Sequence, residues 1–359
     1  MQVSWKKHIL NFKFDARTSR GILKHKVSYF IILSDESGST GIGECSLLPG
    51  LSPDDHPEFE SQISWLCDKV QSSGQQDFEN IFSIIDAHLG NRWPALRMGF
   101  ETAMMDYFHG GDRVIYNNNF LKGEGIPING LIWMGERAFM MKQVKEKIES
   151  GFNCVKIKIG AIDFESELEV LKYIRTQYSE RDIILRVDAN GAFTPEDVIP
   201  RLKQLESLKI HSIEQPIQVG QWENMHDLCR KTPIPVCLDE ELIGEYSFKQ
   251  KVDLVRNINP HFLILKPSLL GGFNSTKEWI GIAESNGVGW WITSALESNI
   301  GLNAICQFTY DQGVTIEQGL GTGQLFHNNL ESPLEVNQGY IRYNPEKRWD
   351  LSNLGIQGI

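Results

Sequence analysis

Five short apolar runs in this sequence end in charge, and the charges are of types that work together. CVKIKIG carries Lys156 and Lys158, IILRVDAN carries Arg186, Asp188 and Asn190, and IHSIEQP carries Glu214. IPVCLDE leads to Asp239, Glu240 and Glu241, and FLILKPS carries Lys266. Side chains at i and i+2 share one face of a strand, so Lys156 and Lys158 point together, as do Arg186, Asp188 and Asn190. The pattern is three carboxylates, Asp188, Glu214 and Asp239, on three successive strands, with lysines on the strands to either side. Three such carboxylates repel one another unless a cation sits among them. Oxygen ligands with no His or Cys nearby favour a hard cation, Mg²⁺ first and Mn²⁺ second. A partly buried lysine beside other cations is pushed toward its neutral form and could then take a proton near neutral pH. A metal beside a basic lysine suits proton abstraction from the carbon next to a carboxylate. Taken singly, an Asp at a strand end is an ordinary helix cap and a Lys there an ordinary snorkelling side chain. The joint placement is what points to a site.

The elements that must hold these residues follow from spacing. Apolar strand-like runs are centred near residues 130, 157, 187, 213, 238, 265, 292 and 316, at intervals of 24–30 residues. Amphipathic stretches such as ESELEVLKYIRTQY and PEDVIPRLKQLES fill most of the gaps. Eight strands alternating with helices is the rhythm of an α/β fold, either a (β/α)8-type barrel or a doubly wound open sheet. In a parallel barrel functional groups gather at the C-terminal strand ends, where these charges lie. The first part of the chain differs: strands at 9–14, 26–34 and 40–45, a loop at about 15–25, a Pro/Gly/Asp-rich loop LLPGLSPDD, then helical spacing over 54–73, 77–89 and 94–108. Trp65, Val70, Ile81, Ile84, Ile85, Met98, Ala103 and Met104 are among the apolar helical positions. This predicts an α+β capping domain over residues 1–122, a barrel over 123–335, and a C-terminal segment, 336–359, that packs back on the cap.

Composition narrows the function class. The 359 residues are 41% hydrophobic and 23% charged, with 35 basic against 46 acidic side chains and a net charge of −11. Phosphate and anionic lipid surfaces need a basic footprint, so neither nucleic acid nor membrane is an expected partner. No run of 18 apolar residues is present and the N-terminus lacks the apolar core of a signal peptide, so a cytoplasmic protein is expected. Six scattered cysteines without a CxxC pair read as buried free thiols, and nine histidines without HxxxH or HExxH give no zinc motif. GLGTG at 319–323 follows the last strand rather than the first and reads as a tight loop at the barrel mouth, not a dinucleotide fingerprint. Trp290 and Trp291 read as barrel packing.

VKIKIG, RVDANGAF, IEQP, CLDEE and LKPSLLGG, in that order and spacing, resemble the muconate-lactonizing-enzyme subgroup of the enolase superfamily. Further segments (ARTSRGIL, LRMGFETAMMD, PINGLIWMG, SALESNIGL and GLGTGQLFHNN) are similar to the o-succinylbenzoate synthases within it. The resemblance implies a (β/α)7β barrel whose last strand lacks a regular following helix, under a capping domain. It implies Mg²⁺ on Asp188, Glu214 and Asp239, with Lys158 and Lys266 facing each other across a small-molecule carboxylate substrate. It also implies a lyase that removes water from a cyclohexadiene carboxylate, with Lys158 as the base and Lys266 stabilising the enediolate. Lys156, Arg186, Asn190, Glu240, Ser294 and Leu296 would support or bind the substrate, and cap loops near Thr18, Arg20 and Gly21 and near 48–51 would close over it. Two other activities of the subgroup share the lysine pair: racemases of N-acylamino acids and epimerases of dipeptides. The epimerases carry an Asp-x-Asp near the last strand; here TIEQGLGTG offers Glu317 alone.

Overall fold

The computed structural model describes every residue except 19–20, 76, 91, 134, 161–162 and 356–359. The chain opens with an antiparallel sheet, β1 (Gln2–Thr18), β2 (Gly21–Ser34) and β3 (Thr40–Ser46), in that spatial order. β1 and β2 pair from Gln2 opposite Ser34 to Thr18 opposite Gly21, with a register shift between Asn11 and Ala16. Residues 16–18 and 21–23 of the loop expected at about 15–25 therefore pair as strand in a long hairpin. Side-chain alternation lapses at the shift, but backbone pairing does not require it.

Three helices follow, α1 (Phe59–Ser72), α2 (Phe78–Leu89) and α3 (Pro94–Phe108). The first begins five residues later than its spacing suggested, because 51–58 are turns that bring Asp54 under α3. Trp93, the residue before α3, offers no side-chain cap, and the Asp54 carboxylate accepts from Ala95 N (2.9 Å) and Leu96 N (3.0 Å) instead. α3 lies so close on β3 that a Cβ at Gly43 would collide with the Gly99 carbonyl, which accounts for the glycines of TGIGE. The apolar faces of all three helices meet the sheet through Ile31, Leu33, Ile63, Leu66, Ile81 and Phe100. Trp65, an expected core position, is instead 39% exposed and rests on the His88 ring.

The second layer is a seven-stranded parallel sheet: β5 (Gly130–Ile132), β6 (Cys154–Lys158), β7 (Ile184–Asp188), β8 (Ser212–Glu214), β9 (Val236–Leu238), β10 (Phe262–Leu265) and β11 (Gly289–Ile292), in sequential order. Helices α4 (Arg137–Glu149), α5 (Phe164–Gln177), α6 (Val198–Glu206), α7 (Trp222–Lys231) and α8 (Phe248–Ile258) alternate with the strands. After β10 come the single turn α9 (Pro267–Leu270) and α10 (Gly272–Ser285), and after β11 comes α11 (Asn299–Asp311). Local chemistry starts several of them; Ser247 and Gln250 form a reciprocal capping box on α8.

The eighth strand expected near 316 does not form. Gln318 and Gly319 instead make one bridge to each side of the opening, with Gln318 N on Pro127 O (2.8 Å), Asn129 N on Gln318 O (2.9 Å), Gly319 N on Ile292 O (2.8 Å) and Ser294 N on Gly319 O (3.0 Å). Four hydrogen bonds close the ring in an eighth position. A short sheet of β4 (Ile126–Pro127), β12 (Leu334–Asn337) and β13 (Tyr340–Tyr343) lies just before β5, while Leu351 and Leu354 pack against Phe30 and Ile42 of the first sheet.

Two carboxylates of the first layer seat on helix N-termini of the second. Glu101 accepts from Phe273 N (2.7 Å) and Asn274 N (3.2 Å) at the start of α10. Glu44 accepts from Ser298 N (2.9 Å) and Gly301 N (3.0 Å) at the start of α11. Helix N-termini carry unpaired N–H groups and partial positive charge, so both contacts are favourable. A Cβ at Gly272 would collide with the Glu101 carboxylate, and one at Gly301 would come within 2.9 Å of Glu44 Oε2. The glycines of LLGG and SNIG make room for these contacts. No helix among the described residues is long and apolar enough to cross a membrane, and all six cysteines are buried free thiols.

Candidate active site

Register brings the charged strand ends into one row. Lys158 lies opposite Asp188, and Asp188 opposite Glu214. Asp239 follows β9 directly and Lys266 follows β10 directly. Lys158 belongs to the second and Lys266 to the sixth of the eight positions around the ring, so the two lysines stand on opposite sides of it.

The side chains meet inside the ring. Lys158 Nζ donates to Asn190 Oδ1 (2.7 Å) and Asp188 Oδ2 (3.1 Å). Lys156 bridges Glu214 Oε2 (2.7 Å) and Asp188 Oδ2 (3.3 Å), and Lys266 pairs with Asp239. Lys156, Lys158, Asp188, Glu214 and Asp239 are buried, while Lys266 and Asn190 are half-buried. Burial alone would push the Lys156 ammonium down; the Glu214 and Asp188 carboxylates outweigh it and hold it above the ordinary lysine value. Lys266 is likewise raised: burial works against its charge, and Asp239, Glu214 and Glu240 overcome it. The depressed lysine expected from neighbouring cations is thus not what Lys156 and Lys266 show, because the carboxylates lie closer to them than other lysines do. Asp188 is burdened by burial, yet Lys158, Lys156 and Lys266 hold it well below the carboxylate range. Asp239 is pushed well above that range, first by burial and then by Glu240 and Glu214, against the pull of Lys266.

The donor set suits a hard cation. Glu214 Oε1 is buried without a hydrogen-bond partner, and the Glu214 and Asp239 carboxyl groups approach each other. Two buried carboxylates in contact need a proton or a cation between them. In the present arrangement the ammonium groups take that part, and among the described residues no three acidic, His or Cys side chains converge on one point.

A cavity of ≈ 200 Å³ opens above the row. Lys156, Lys158, Asp188, Asn190 and Lys266 form its floor; Gly21, Ile22, Leu23, Leu48, Pro49 and Leu51 reach it from the first layer. Ser294 and Leu296 line it as well, the latter at φ +62°. The Ser294 hydroxyl, however, is fully engaged, with its proton directed to Glu297 and its oxygen accepting from Leu296 N and Thr322 Oγ1. Arg20 and the Thr18 side chain lie outside the described residues.

Two of the residues expected to support or bind the substrate stand outside the cavity lining. Arg186 does not reach the cavity; it is buried beneath it, donates to Glu317 O (2.7 Å) and stacks on Trp291 at 4.1 Å. Glu317 therefore braces the ring's closure, facing Arg186. Glu240 stands behind Asn190, accepting from its Nδ2 (3.0 Å).

Among the cavity residues not singled out by sequence are Asn129 and Thr293, each with a buried side-chain oxygen lacking a partner, and Trp133. Trp133 and Thr293 directly follow β5 and β11, the one signal that could have found them, whereas Asn129 directly precedes β5. Gln215, at φ +37°, was also missed. Its Nε2 donates to Glu241 Oε2 (3.0 Å) and its Oε1 accepts from Asp239 N (3.2 Å), so it fixes the strand end that carries Asp239.

Comparison with known proteins agrees with this fold. Residues 140–347 match the family described as Enolase C-terminal domain-like. The o-succinylbenzoate synthase of Desulfotalea psychrophila is 43% identical over 364 residues, covering 95% of this chain and 98% of that one. The crystal structure of MenC from the same organism superposes with a TM-score of 0.82 at 39% identity, covering 95% and 99% of the two chains. The L-Ala-D/L-Glu epimerase of Bacillus subtilis has the same fold, with a TM-score of 0.82 at 17% identity over 96% of each chain. The chain belongs to the enolase superfamily, in the family of the o-succinylbenzoate synthases.

Proposed function

We propose that this chain dehydrates 2-succinyl-6-hydroxy-2,4-cyclohexadiene-1-carboxylate to o-succinylbenzoate, a step of menaquinone biosynthesis, in the cytoplasm. The observation that carries the reading is the pair of lysines on opposite sides of the ring, each against a buried carboxylate beneath one cavity. The near full-length similarity to an o-succinylbenzoate synthase supports the substrate.

Asp188, Glu214 and Asp239 would hold Mg²⁺, with Mn²⁺ as a substitute. Bound there, the cation supplies positive charge that offsets a substrate carboxylate as it gains electron density. Lys158, entering the step as the free amine, takes the proton from the carbon that bears the carboxylate and becomes the ammonium. The C–O bond to the ring hydroxyl then breaks, and Lys158 returns its proton to the departing oxygen, giving water and an aromatic ring. Lys266, on the opposite side, stabilises the enediolate by charge. Asn190 holds the Lys158 ammonium, and Glu240 holds Asn190. The apolar residues at 22–23 and 48–51 exclude water from the reacting face.

The test is a spectrophotometric assay of the purified protein with the cyclohexadiene. Metal-dependent loss of the diene absorbance is expected; no loss removes the proposal. A second reading, racemisation of N-succinylamino acids, draws on the same opposed lysines, which could serve the two faces of one carbon. It is supported by a 30% identity over 45% of this chain to an N-succinylamino acid racemase of Thermus thermophilus. Exchange of the α-proton in D₂O without elimination would mark it.

A further inference from the structure

Glu297 is wholly buried and does not line the cavity, yet its carboxylate joins residues that do. Oε1 accepts from Ser268 Oγ (2.6 Å) and Oε2 from Ser294 Oγ. Ser268 stands two residues past Lys266, in the turn whose Leu269 and Leu270 N–H groups fold back on Lys266 O (2.9 and 3.1 Å). Ser294 holds Leu296 N (3.0 Å) and Thr322 Oγ1 (2.7 Å). Lys266, Leu296 and Thr322 all face the cavity, each from a different position of the ring. The next residue in the chain, Ser298, binds Glu44 of the first layer, and Lys26 is buried 3.8 Å from Glu44 as the cation of this cluster.

We propose that Glu297 is a positioning residue. Its carboxylate ties the strand end bearing Lys266 to the Ser294–Leu296 wall, and so sets the distance between the lysine and the surface that receives the rest of the substrate. The kinetic part of this inference rests on the function proposed above; the tie itself does not.

The two arms can be cut separately. Ser268→Ala loosens the lysine side and is expected to lower kcat about tenfold with KM nearly unchanged. Ser294→Ala loosens the wall and is expected to raise KM about tenfold. Glu297→Ala does both, whereas Glu297→Gln rescues: its amide oxygen accepts from Ser294 and its amide N–H donates to Ser268. Glue without a positioning role would lower the melting temperature and leave kcat and KM untouched. Wild-type constants in Glu297→Ala, or Glu297→Gln as impaired as Glu297→Ala, would overturn the proposal.

Amide hydrogen exchange read by mass spectrometry provides a second measure that needs no turnover. Faster exchange over 266–271 and 293–297 is expected in Glu297→Ala and not in Glu297→Gln; unchanged exchange in both refutes the tie. If the wild type does not consume the cyclohexadiene, the function fails, and the exchange result still decides whether Glu297 holds the two segments.

Discussion

Lys158 and Asp188 stand directly opposite each other on β6 and β7, and the ammonium closes on the carboxylate at 3.1 Å. A group proposed to move protons thus sits within hydrogen-bond reach of a group proposed to hold the cation. The two roles are separable because Lys158 contributes no ligand oxygen.

Lys158→Ala should therefore abolish proton transfer and spare metal binding. General-base loss costs about 10²–10⁴-fold in rate. Proton exchange followed by NMR in D₂O and calorimetric titration with Mg²⁺ read the two properties apart. Normal turnover by the variant would remove Lys158 from the mechanism.

Asp239→Asn should weaken Mg²⁺ binding by at least about 10-fold, since even partners outside the ligand shell cost 10–100-fold. The same titration checks it, and unchanged affinity would take Asp239 out of the ligand set. Its neighbour Glu240 is occupied by Asn190, so it is not placed to substitute.

Much of this site was legible in the sequence because a parallel barrel converts chain position into place: a charge that ends an apolar strand lies at one rim. Parity could not give depth. Lys156 and Arg186 are register partners, yet Lys156 extends up to Glu214 while Arg186 turns down onto Trp291. Nor could apolar spacing tell the closing segment from a strand. TIEQG reads as one, but Gln318 spends its side chain on Ile292 N and Ile316 O and forms only isolated bridges. The hairpin beyond Asn11 was hidden for the opposite reason, being a strand whose alternation breaks at a register shift. Asn129 and Thr293 carry no charge, so a place beside a strand was not enough to mark them until the cavity did.

The seat of Glu101 on α10 predicts a contrast between two glycines. Gly272→Ala must fit a methyl against the Glu101 carboxylate at φ +90°, and should cost about 3 kcal/mol or more. Gly220→Ala, at φ +81° with nothing within 4 Å, should cost only the backbone strain of about 1–2 kcal/mol. Urea unfolding midpoints measure both; equal losses would mean that the Glu101 contact is not tight.

The same carboxylate gives a pH dependence. Burial pushes Glu101 up to about 7, against the N–H groups of Phe273 and Asn274 and the charge of Arg97. Between its ordinary value of 4.5 and about 7 the folded protein holds a proton that the unfolded chain has released. Stability from this group is thus greatest at low pH, falls as pH rises through that window, and is level above it. The stability difference between wild type and Glu101→Gln should decline by up to about 1.4 kcal/mol per pH unit from pH 5 to 7. A difference that stays flat or rises would contradict the burial argument.

The central claim is that carboxylates and opposed lysines at one barrel rim carry out a metal-assisted elimination. The most direct test is to follow the diene absorbance of the cyclohexadiene substrate with purified protein, first with Mg²⁺ and then with EDTA. Rapid loss with the metal and none with the chelator is the predicted result. No loss under either condition, or equal loss under both, would contradict it.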